Sequence, residues 1–284
     1  MKTVVRRDEM RGFSRQWGSE GLRVGLVPTM GNLHAGHLVL VETLAPLVDR
    51  LVVSIFVNPL QFGAGEDYES YPRTVDADRE ALAALPVDAV FAPSAAEMYP
   101  HGEPATVIDV PALTGTLCGA VRPGHFAGVA LVVTKLFHLV EPDVAAFGAK
   151  DYQQLQVVRR LVDDLDLPVE IVAVPTVREA DGLAMSSRNQ YLTPEARSRA
   201  PSLHETLRGL AAALRAGRAD YADLEREAAV RLRETGFDEV DYVAIRRTDD
   251  LAPPRGREPR LVCLAAARLG AARLIDNLEV DLNP

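Results

Sequence analysis

Two histidines, three residues apart, stand where a predicted strand gives way to a predicted helix. His34 and His37 lie in PTMGNLHAGH (residues 28–37), after the apolar run 24–27 and before apolar residues at helical spacing. Side chains at i and i+3 leave the same face of a helix. A helix N-terminus attracts anions, and an imidazole can donate to a phosphate oxygen. The spacing therefore predicts a nucleotide or phosphate site, in which His37 meets charge developing on phosphorus.

The same residues also have a purely structural interpretation. A strand followed by a glycine turn is common, and a histidine near a helix start often only caps or packs it. However, two of the six histidines in the chain fall within four residues here. Gly36 between them lets a ligand come close to the backbone. The pattern therefore favours a phosphate site.

Two further segments carry the charge and the hydroxyl groups that suit a triphosphate. Lys150 and Asp151 follow a predicted strand and Gly148, so Lys150 can reach phosphate oxygens as a point charge. Alternatively, Asp151 begins the next helix as an N-cap beside a solvated lysine. The segment MSSR (residues 185–188) offers two hydroxyls and one fixed cation. By itself this segment is a weak signal, and the histidine motif upstream strengthens it.

Two glutamines, Gln61 and Gln154, could recognise a small hydroxy acid. An amide can donate to a carboxylate and accept from a hydroxyl without adding net charge. Asn58 and Arg122 are lesser candidates for the same site, and Arg122 can equally form a structural salt bridge.

The elements that must position these side chains alternate between buried strands and helices. The chain predicts an α/β fold, a doubly wound, Rossmann-like parallel sheet over residues 1–175. Ligands bind beyond the carboxyl ends of the strands in such sheets. Four pairs of residues follow predicted strand ends: His34/His37, Asn58/Gln61, Gly148/Lys150 and Thr176/Arg178. Apolar, β-rich runs predict these strands at residues 24–27, 51–57, 89–92, 106–110, 144–147 and 169–174.

The pattern of predicted elements changes after about residue 176. Two charged helices, near 200–216 and 221–235, precede apolar runs at 240–246, 261–269 and 272–280. These predict a smaller α+β C-terminal lid domain over residues 176–284. The Gly- and acid-rich segment 61–71 predicts a loop that, with this domain, covers the cleft.

Composition excludes several classes of protein. The chain is 48% hydrophobic and 25% charged with a net charge of −9, which disfavours general nucleic-acid binding. The longest apolar stretch, 129–140, is too short to span a bilayer. Two cysteines without metal-ligand spacing, and an N-terminus without an apolar signal core, lead us to expect a cytoplasmic protein.

The histidine motif resembles the HIGH signature of the nucleotidyltransferase superfamily, and in this setting it resembles the pantothenate synthetase family. Further blocks carry the same resemblance in order: VSIFVNPLQFG (53–63), YPRT (71–74), RPGHFAGV (122–129), FGAKDYQQL (147–155) and GLAMSSRNQYL (182–192). The resemblance implies condensation of (R)-pantoate with β-alanine, using ATP, through a pantoyl adenylate. AMP and pyrophosphate would leave. It also implies a homodimer formed through the N-terminal domain, with residues 51–57 near the contact.

The resemblance also assigns roles to individual residues. It implies that His34, His37, Lys150, Ser186, Ser187 and Arg188 are catalytic. Pantoate would be held by Gln61, Gln154 and Met30, and β-alanine by Gln61. The ATP site would comprise Met30, Gly31, Asn32, Leu33, His34, Ala35, Gly36, His37, Gly148, Ala149, Lys150, Asp151, Thr176, Val177, Met185, Ser186, Ser187 and Arg188.

The expected cofactor is Mg²⁺ bridging the phosphates, with Asp78 as the candidate protein ligand and Asp76 as a second one. Ala77 stands between them where the family usually carries an acid, which weakens this assignment. Ala35 and Ala149 also replace glutamates that are usual in relatives. Neither replaced side chain is needed for the chemistry described above.

Three other functions remain to be compared with this one. Another nucleotidyltransferase of the superfamily would explain the histidine motif but not the two glutamines. A tRNA synthetase would pair the motif with a serine-rich loop, but the acidic chain leaves little room for an anticodon-binding region. A silent nucleotide-binding regulator is disfavoured by the presence of both histidines, Lys150 and Arg188.

Overall fold

The computed structural model describes residues 1–63 and 65–283, and a six-stranded parallel sheet organises the first half of the chain. Its strands are β1 (Lys2–Val4), β2 (Val24–Thr29), β3 (Arg50–Ile55), β4 (Ala89–Phe91), β5 (Val144–Gly148) and β6 (Glu170–Val174). They lie in the order β1-β4-β3-β2-β5-β6, each parallel to its neighbours. The chain thus crosses from one side of β2 to the other, which creates a topological switch point between β2 and β5.

Helices cover both faces of this sheet. The helices are α1 (Arg7–Ser19), α2 (Ala35–Leu44), α3 (Val75–Leu82), α4 (Ala95–Met98), α5 (Pro111–Thr114), α6 (Cys118–Val121), α7 (His125–Val140), α8 (Tyr152–Asp164), α9 (Pro194–Arg199), α10 (Ser202–Arg215) and α11 (Tyr221–Glu234). One face of the sheet packs against α1, α7 and α8, through residues such as Met10, Val133 and Leu155. The other face packs against α2 and α3, through Leu44 and Leu82.

A second, antiparallel sheet follows in the order β7-β8-β9. Its strands are β7 (Glu239–Arg247), β8 (Arg260–Leu269) and β9 (Ala272–Asp281). It forms a separate core with α10 and α11. A smaller cluster, in which Val157 packs with Val262 and Leu264, joins the two halves. The predicted doubly wound α/β sheet with a smaller α+β part is therefore confirmed, whereas the boundary at residue 175 stays a prediction.

Two local predictions are wrong. Residues 106–110 form no strand, because only Val110 among them is buried and Val107 is 74% exposed, so the segment has no buried face to pack in the sheet. The sequence prediction missed β1, since only one of its three residues is buried and no periodicity shows. Residues 51–55 lie in an interior strand that is paired on both sides and buried. The dimer contact expected near residues 51–57 stays a prediction.

Within the part of the chain that the structure describes, no helix is both long enough and apolar enough to cross a membrane.

Candidate active site

A cavity of about 600 Å³ opens at the carboxyl ends of β2, β5 and β6, beside the switch point of the sheet. Loops from different strands converge there because parallel strands end on one edge. Five predicted ATP-site residues do not line the cavity: Gly31, Asn32, Leu33, Ala35 and Ala149. The predicted site residues that line it are Met30, His34, Gly36, His37, Gln61, Gly148, Lys150, Asp151, Gln154, Thr176, Val177, Met185, Ser186, Ser187 and Arg188.

The two histidines cap the start of α2 with their own rings. The backbone N–H of Gly36 donates to His34 Nδ1 at 3.1 Å, and the N–H of His34 donates to His37 Nδ1 at 3.3 Å. Each Nδ1 is therefore an acceptor, so a neutral ring carries its proton on Nε2. A Cβ at position 36 would lie 2.9 Å from His34 Cε1 and would clash with it, which explains why this residue is glycine. The arrangement leaves two Nε2–H donors for the cavity.

Both imidazoles are neutral at physiological pH. Burial, reinforced by the charge of Lys150, lowers the pKa of His34 to about 4. Burial, followed by the neighbouring ring of His34, lowers the pKa of His37 to about 3. The rings lie close together, with centroids 4.1 Å apart. The neutral rings therefore offer hydrogen-bond donors to the cavity rather than imidazolium charges.

We expect the free energy of unfolding to fall as the pH is lowered from about 6.5 to about 4. Burial and Arg122 also lower the pKa of His125, to about 4, whereas an unfolded histidine titrates near 6.5. Between these values the unfolded chain binds more protons, so acid favours unfolding. Urea unfolding at about pH 7.5 and about pH 5 measures the difference.

The control for this prediction is His125→Asn. His125 Nδ1 lies 2.7 Å from the Gln61 carbonyl and Nε2 lies 3.0 Å from Arg122, so its neutral ring donates through Nδ1. An asparagine N–H can replace that donor without titrating. The variant should lose less stability between the two pH values than the parent chain. An equal loss would contradict the assignment of a neutral buried ring.

Lys150 is positioned by the second half of the chain. It lies in a 3-10 turn (Ala149–Asp151) directly after β5. Asn277 Nδ2 donates to the carbonyls of Ala149 and Lys150, at 2.9 Å each. Asp151 occupies the N-cap position of α8, as predicted, but its side chain makes no capping bond. The side chains of both Lys150 and Asp151 line the cavity.

Sequence reasoning missed the residues of β9 that hold this turn. Asp276 next to Asn277 is buried and pairs with both guanidinium nitrogens of Arg178, at 2.7 and 2.9 Å. The pair therefore connects the segment after β6 to β9, while Asn277 holds the 3-10 turn that contains Lys150. An adjacent acid and amide inside the apolar run of residues 272–280 was the signal that could have revealed them.

The serine–arginine loop touches the histidine turn directly. Ser187 Oγ donates to the carbonyl of Asn32 at 3.2 Å. Ser186 Oγ accepts from the N–H of Arg188 at 3.3 Å and begins a 3-10 turn (Ser187–Tyr191). This contact brings the two predicted phosphate-binding segments to one end of the cavity.

Arg188 is paired with a carboxylate of the 61–71 loop, a contact that the sequence did not suggest. Its Nε and Nη2 donate to Asp67 at 3.1 and 2.9 Å, and its guanidinium lies over the ring of Tyr71. Neither bond to Asp67 uses Nη1. The neighbouring Glu66 pairs with Arg122 at 2.6 and 2.5 Å, which supports the structural alternative for Arg122. Residue 64 of this loop lies outside the described residues.

The amide subsite has a fixed orientation. Tyr99 OH donates to Asn58 Oδ1 at 2.8 Å, and Asn58 Nδ2 donates to Gln61 Oε1 at 3.2 Å. The Gln61 amide nitrogen therefore points the other way, toward Met30 Sδ at 2.9 Å. Gln154 lines the same cavity. Beside them lies an apolar wall formed by α7: Phe126, Val129, Val132, Val133 and Leu136.

Asp78 does not line the cavity. It is 2% exposed, and its two oxygens accept from the backbone N–H groups of Asn32 and Leu33. Asp76 points outward with a 97% exposed side chain. Among residues 1–63 and 65–283, no three acidic, histidine or cysteine side chains are grouped so that they could hold a metal. This geometry does not favour the magnesium contacts predicted for the two aspartates.

Comparison with known proteins identifies the family of this chain. A family model for pantoate-beta-alanine ligase matches residues 2–279. The chain belongs to the pantoate-beta-alanine ligase family. A pantothenate synthetase of Halorhodospira halophila is 69% identical over 283 residues, which cover 99% of each chain. The family resemblance inferred from the motifs is therefore confirmed.

Solved structures of the pantoate-beta-alanine ligase family share the fold. A pantothenate synthetase of Thermus thermophilus has a TM-score of 0.91 at 48% identity, covering 100% of both chains. A pantoate-beta-alanine ligase of Francisella tularensis, complexed with beta-gamma ATP and beta-alanine, has a TM-score of 0.82 at 32% identity, covering 98% and 97%. These likenesses extend through both sheets, so the second half of the chain belongs to the family architecture.

Proposed function

We propose that this chain condenses pantoate with β-alanine in an ATP-dependent reaction through a pantoyl adenylate. The observation that carries the proposal is the single cavity lined by the two imidazoles, Lys150, Arg188 and Gln61. It combines donors for a triphosphate with a neutral amide pocket beside an apolar wall. The Francisella relative, solved in complex with beta-gamma ATP and beta-alanine, supports both substrates.

ATP would lie across the carboxyl ends of β2, β5 and β6. Backbone groups of Thr176 and Val177, which line the cavity after β6, suit the adenine. Gly148 leaves space for the ribose, since nothing lies within 4 Å of where its Cβ would be. Ser186, Ser187, Lys150 and the Nη1 group of Arg188 suit the phosphates.

(R)-Pantoate would occupy the amide subsite. The Gln61 N–H, which now lies against Met30 Sδ, is available to the carboxylate. Gln154 offers a second amide, and the α7 wall suits the geminal methyl groups. β-Alanine would later approach the same end of the cavity, near Gln61.

In the first step, a pantoate carboxylate oxygen attacks the α-phosphorus. The bond from that phosphorus to the bridging oxygen of the β-phosphate breaks, and pyrophosphate leaves. The protein's part is to position two anions and to stabilise the charge that develops between them. The Nε2–H donors of His34 and His37 and the Lys150 ammonium would supply that stabilisation.

In the second step, the amine of β-alanine attacks the acyl carbon of the adenylate. The amide bond forms, AMP leaves with its phosphate oxygen, and the nitrogen loses a proton to solvent. An acyl adenylate is open to hydrolysis, so the intermediate needs shelter from water. The 61–71 loop and the second half of the chain, joined by Asp67 and Arg188, suit that role.

Mg²⁺ would accompany the triphosphate. The described cavity offers isolated carboxylates such as Asp151 rather than a cage of acids. This suits an ion held mainly by phosphate oxygens and water, with one or two protein ligands at most. The ion would neutralise phosphate charge while the histidines and Lys150 orient the reacting groups.

The test is the substrate requirement for AMP release from ATP. We expect release to require both pantoate and β-alanine, whereas ATP–pyrophosphate exchange should require pantoate alone. Exchange without pantoate would instead favour another nucleotidyltransferase. ATP binding without any turnover would favour a silent regulator.

We also propose that the active form is a homodimer in the cytoplasm. Both Cys118 and Cys263 are unpaired and buried, which suits a reducing compartment. Light scattering on purified protein should give about twice the chain mass of 30.8 kDa. A single-chain mass at micromolar concentration would contradict the dimer.

A further inference from the structure

A buried carboxylate that the proposed reaction does not use lies directly beneath the histidine turn. Asp78 Oδ2 accepts from the N–H of Asn32 at 3.0 Å, and Oδ1 accepts from the N–H of Leu33 at 2.8 Å. The hydroxyl of Thr74, at the start of α3, donates to Oδ1 at 3.3 Å. The carboxylate is thus surrounded by donors.

The backbone that Asp78 holds is unusual. Gly31 and Asn32 have φ values of +81° and +50°, so two successive residues are in the left-handed region. This turn exposes consecutive N–H groups before α2 begins, and buried N–H groups are costly unless they find an acceptor. A single carboxylate satisfies both. His34 follows one residue later.

The turn is pressed against the carboxylate. A Cβ at Gly31 would lie 2.9 Å from Asp78 Oδ2 and 3.0 Å from Ile55 Cγ2. Asn32 donates its N–H to Asp78, and its carbonyl accepts from Ser187 Oγ at 3.2 Å. One residue therefore connects the carboxylate to the serine–arginine loop. Displacement of Asn32 would move both the histidines and Ser187.

We propose that Asp78 is a positioning residue that fixes the relative positions of His34, His37 and Ser187 for binding of the triphosphate. Both oxygens of Asp78 accept hydrogen bonds from backbone N–H groups of the turn, and Asp78 does not line the cavity. It therefore acts through the turn rather than through a metal ion. The inference rests on the proposed function, because the side chains that Asp78 would position are those proposed to bind the phosphates.

Asp78→Asn tests the proposal with the smallest change of shape. An amide offers one acceptor oxygen and an NH₂ group, which would face an N–H of the turn. We expect pantoate-dependent ATP–pyrophosphate exchange to slow by about 10- to 100-fold, in kcat more than in the KM for ATP. The concentration of Mg²⁺ for half-maximal rate should not change.

Asp76→Asn is the matched control. It removes the same charge from the same turn of α3, but its side chain is 97% exposed. Its kcat, KM and Mg²⁺ dependence should equal those of the parent chain. Recovery of Asp78→Asn at high Mg²⁺ would overturn the proposal in favour of a metal ligand.

Imidazole nitrogen NMR separates positioning from mere stability and does not depend on turnover. The parent chain should show His34 and His37 as Nε2–H tautomers, and Asp78→Asn should mix the tautomers as the caps loosen. If Asp78→Asn fails to fold, Thr74→Val removes only the hydroxyl bond and should shift the same signals less. Unchanged tautomers with a parent-like kcat would overturn the proposal. Absence of pantoate-dependent exchange in the parent chain would count against the proposed function alone, with the tautomers still testing Asp78.

Discussion

Replacing His37 by asparagine should slow pantoate-dependent ATP–pyrophosphate exchange by about 10²- to 10³-fold. The amide oxygen of asparagine can stand where Nδ1 stands and accept the N–H of His34, so the cap of α2 is kept. The Nε2–H donor to the phosphate is lost. Because the ring is neutral in the parent chain, the loss is that of a positioned hydrogen bond rather than of a charge.

Two other substitutions at His37 serve as controls. His37→Gln can place an amide N–H near the former Nε2 and should retain more activity than His37→Asn. His37→Ala loses both the donor and the cap, so it should also lower the free energy of unfolding by about 0.5–2 kcal/mol. Exchange at nearly the parent rate in His37→Asn would refute a direct catalytic role for this histidine.

A second substitution with a large expected effect is Lys150→Met, which should reduce kcat by about 10²- to 10³-fold. Methionine keeps most of the apolar length of the side chain and removes only the ammonium. The carbonyls of Ala149 and Lys150 remain bonded to Asn277, so the turn should keep its shape. Single-turnover formation of AMP and the dissociation constant for ATP measure the effect on catalysis and on binding separately.

Lys150→Arg is the control for charge. The planar guanidinium restores the charge but not the compact geometry, so we expect partial activity. The pKa of His34 supplies a second readout, because the charge of Lys150 contributes to its depression. That pKa should rise in Lys150→Met and stay low in Lys150→Arg. A parent-like kcat in Lys150→Met would remove the lysine from the mechanism.

Much of the site could be predicted from the sequence because its parts are local. The spacing of His34 and His37, the glycine between them and the helix that follows are all encoded within a dozen residues. Strand–turn–helix units also have a fixed chemical polarity, which brings His37, Lys150 and Thr176 to one edge of a parallel sheet. The fold class followed from the same alternation of strands and helices.

Long-range contacts could not be predicted in this way. The partnership of Asp67 with Arg188 joins residues 121 positions apart, and that of Asn277 with Lys150 joins residues 127 apart. No local pattern records which acid will meet which base across a cleft. For the same reason, the local pattern of residues 106–110 predicted a strand, although this segment pairs with no strand of either sheet.

The sequence by itself therefore determined the class of fold, the turns that carry the candidate site residues and the family to which the chain belongs. Only the tertiary structure decided which nitrogen of each histidine faces the cavity, what Asp78 holds, and which carboxylates restrain the arginines. The physical reason is that residue type and spacing set local conformation. Hydrogen-bond partners and burial arise only once distant segments have packed together. They determine the histidine tautomers, the pKa values and the hydrogen bonds that a carboxylate such as Asp78 accepts.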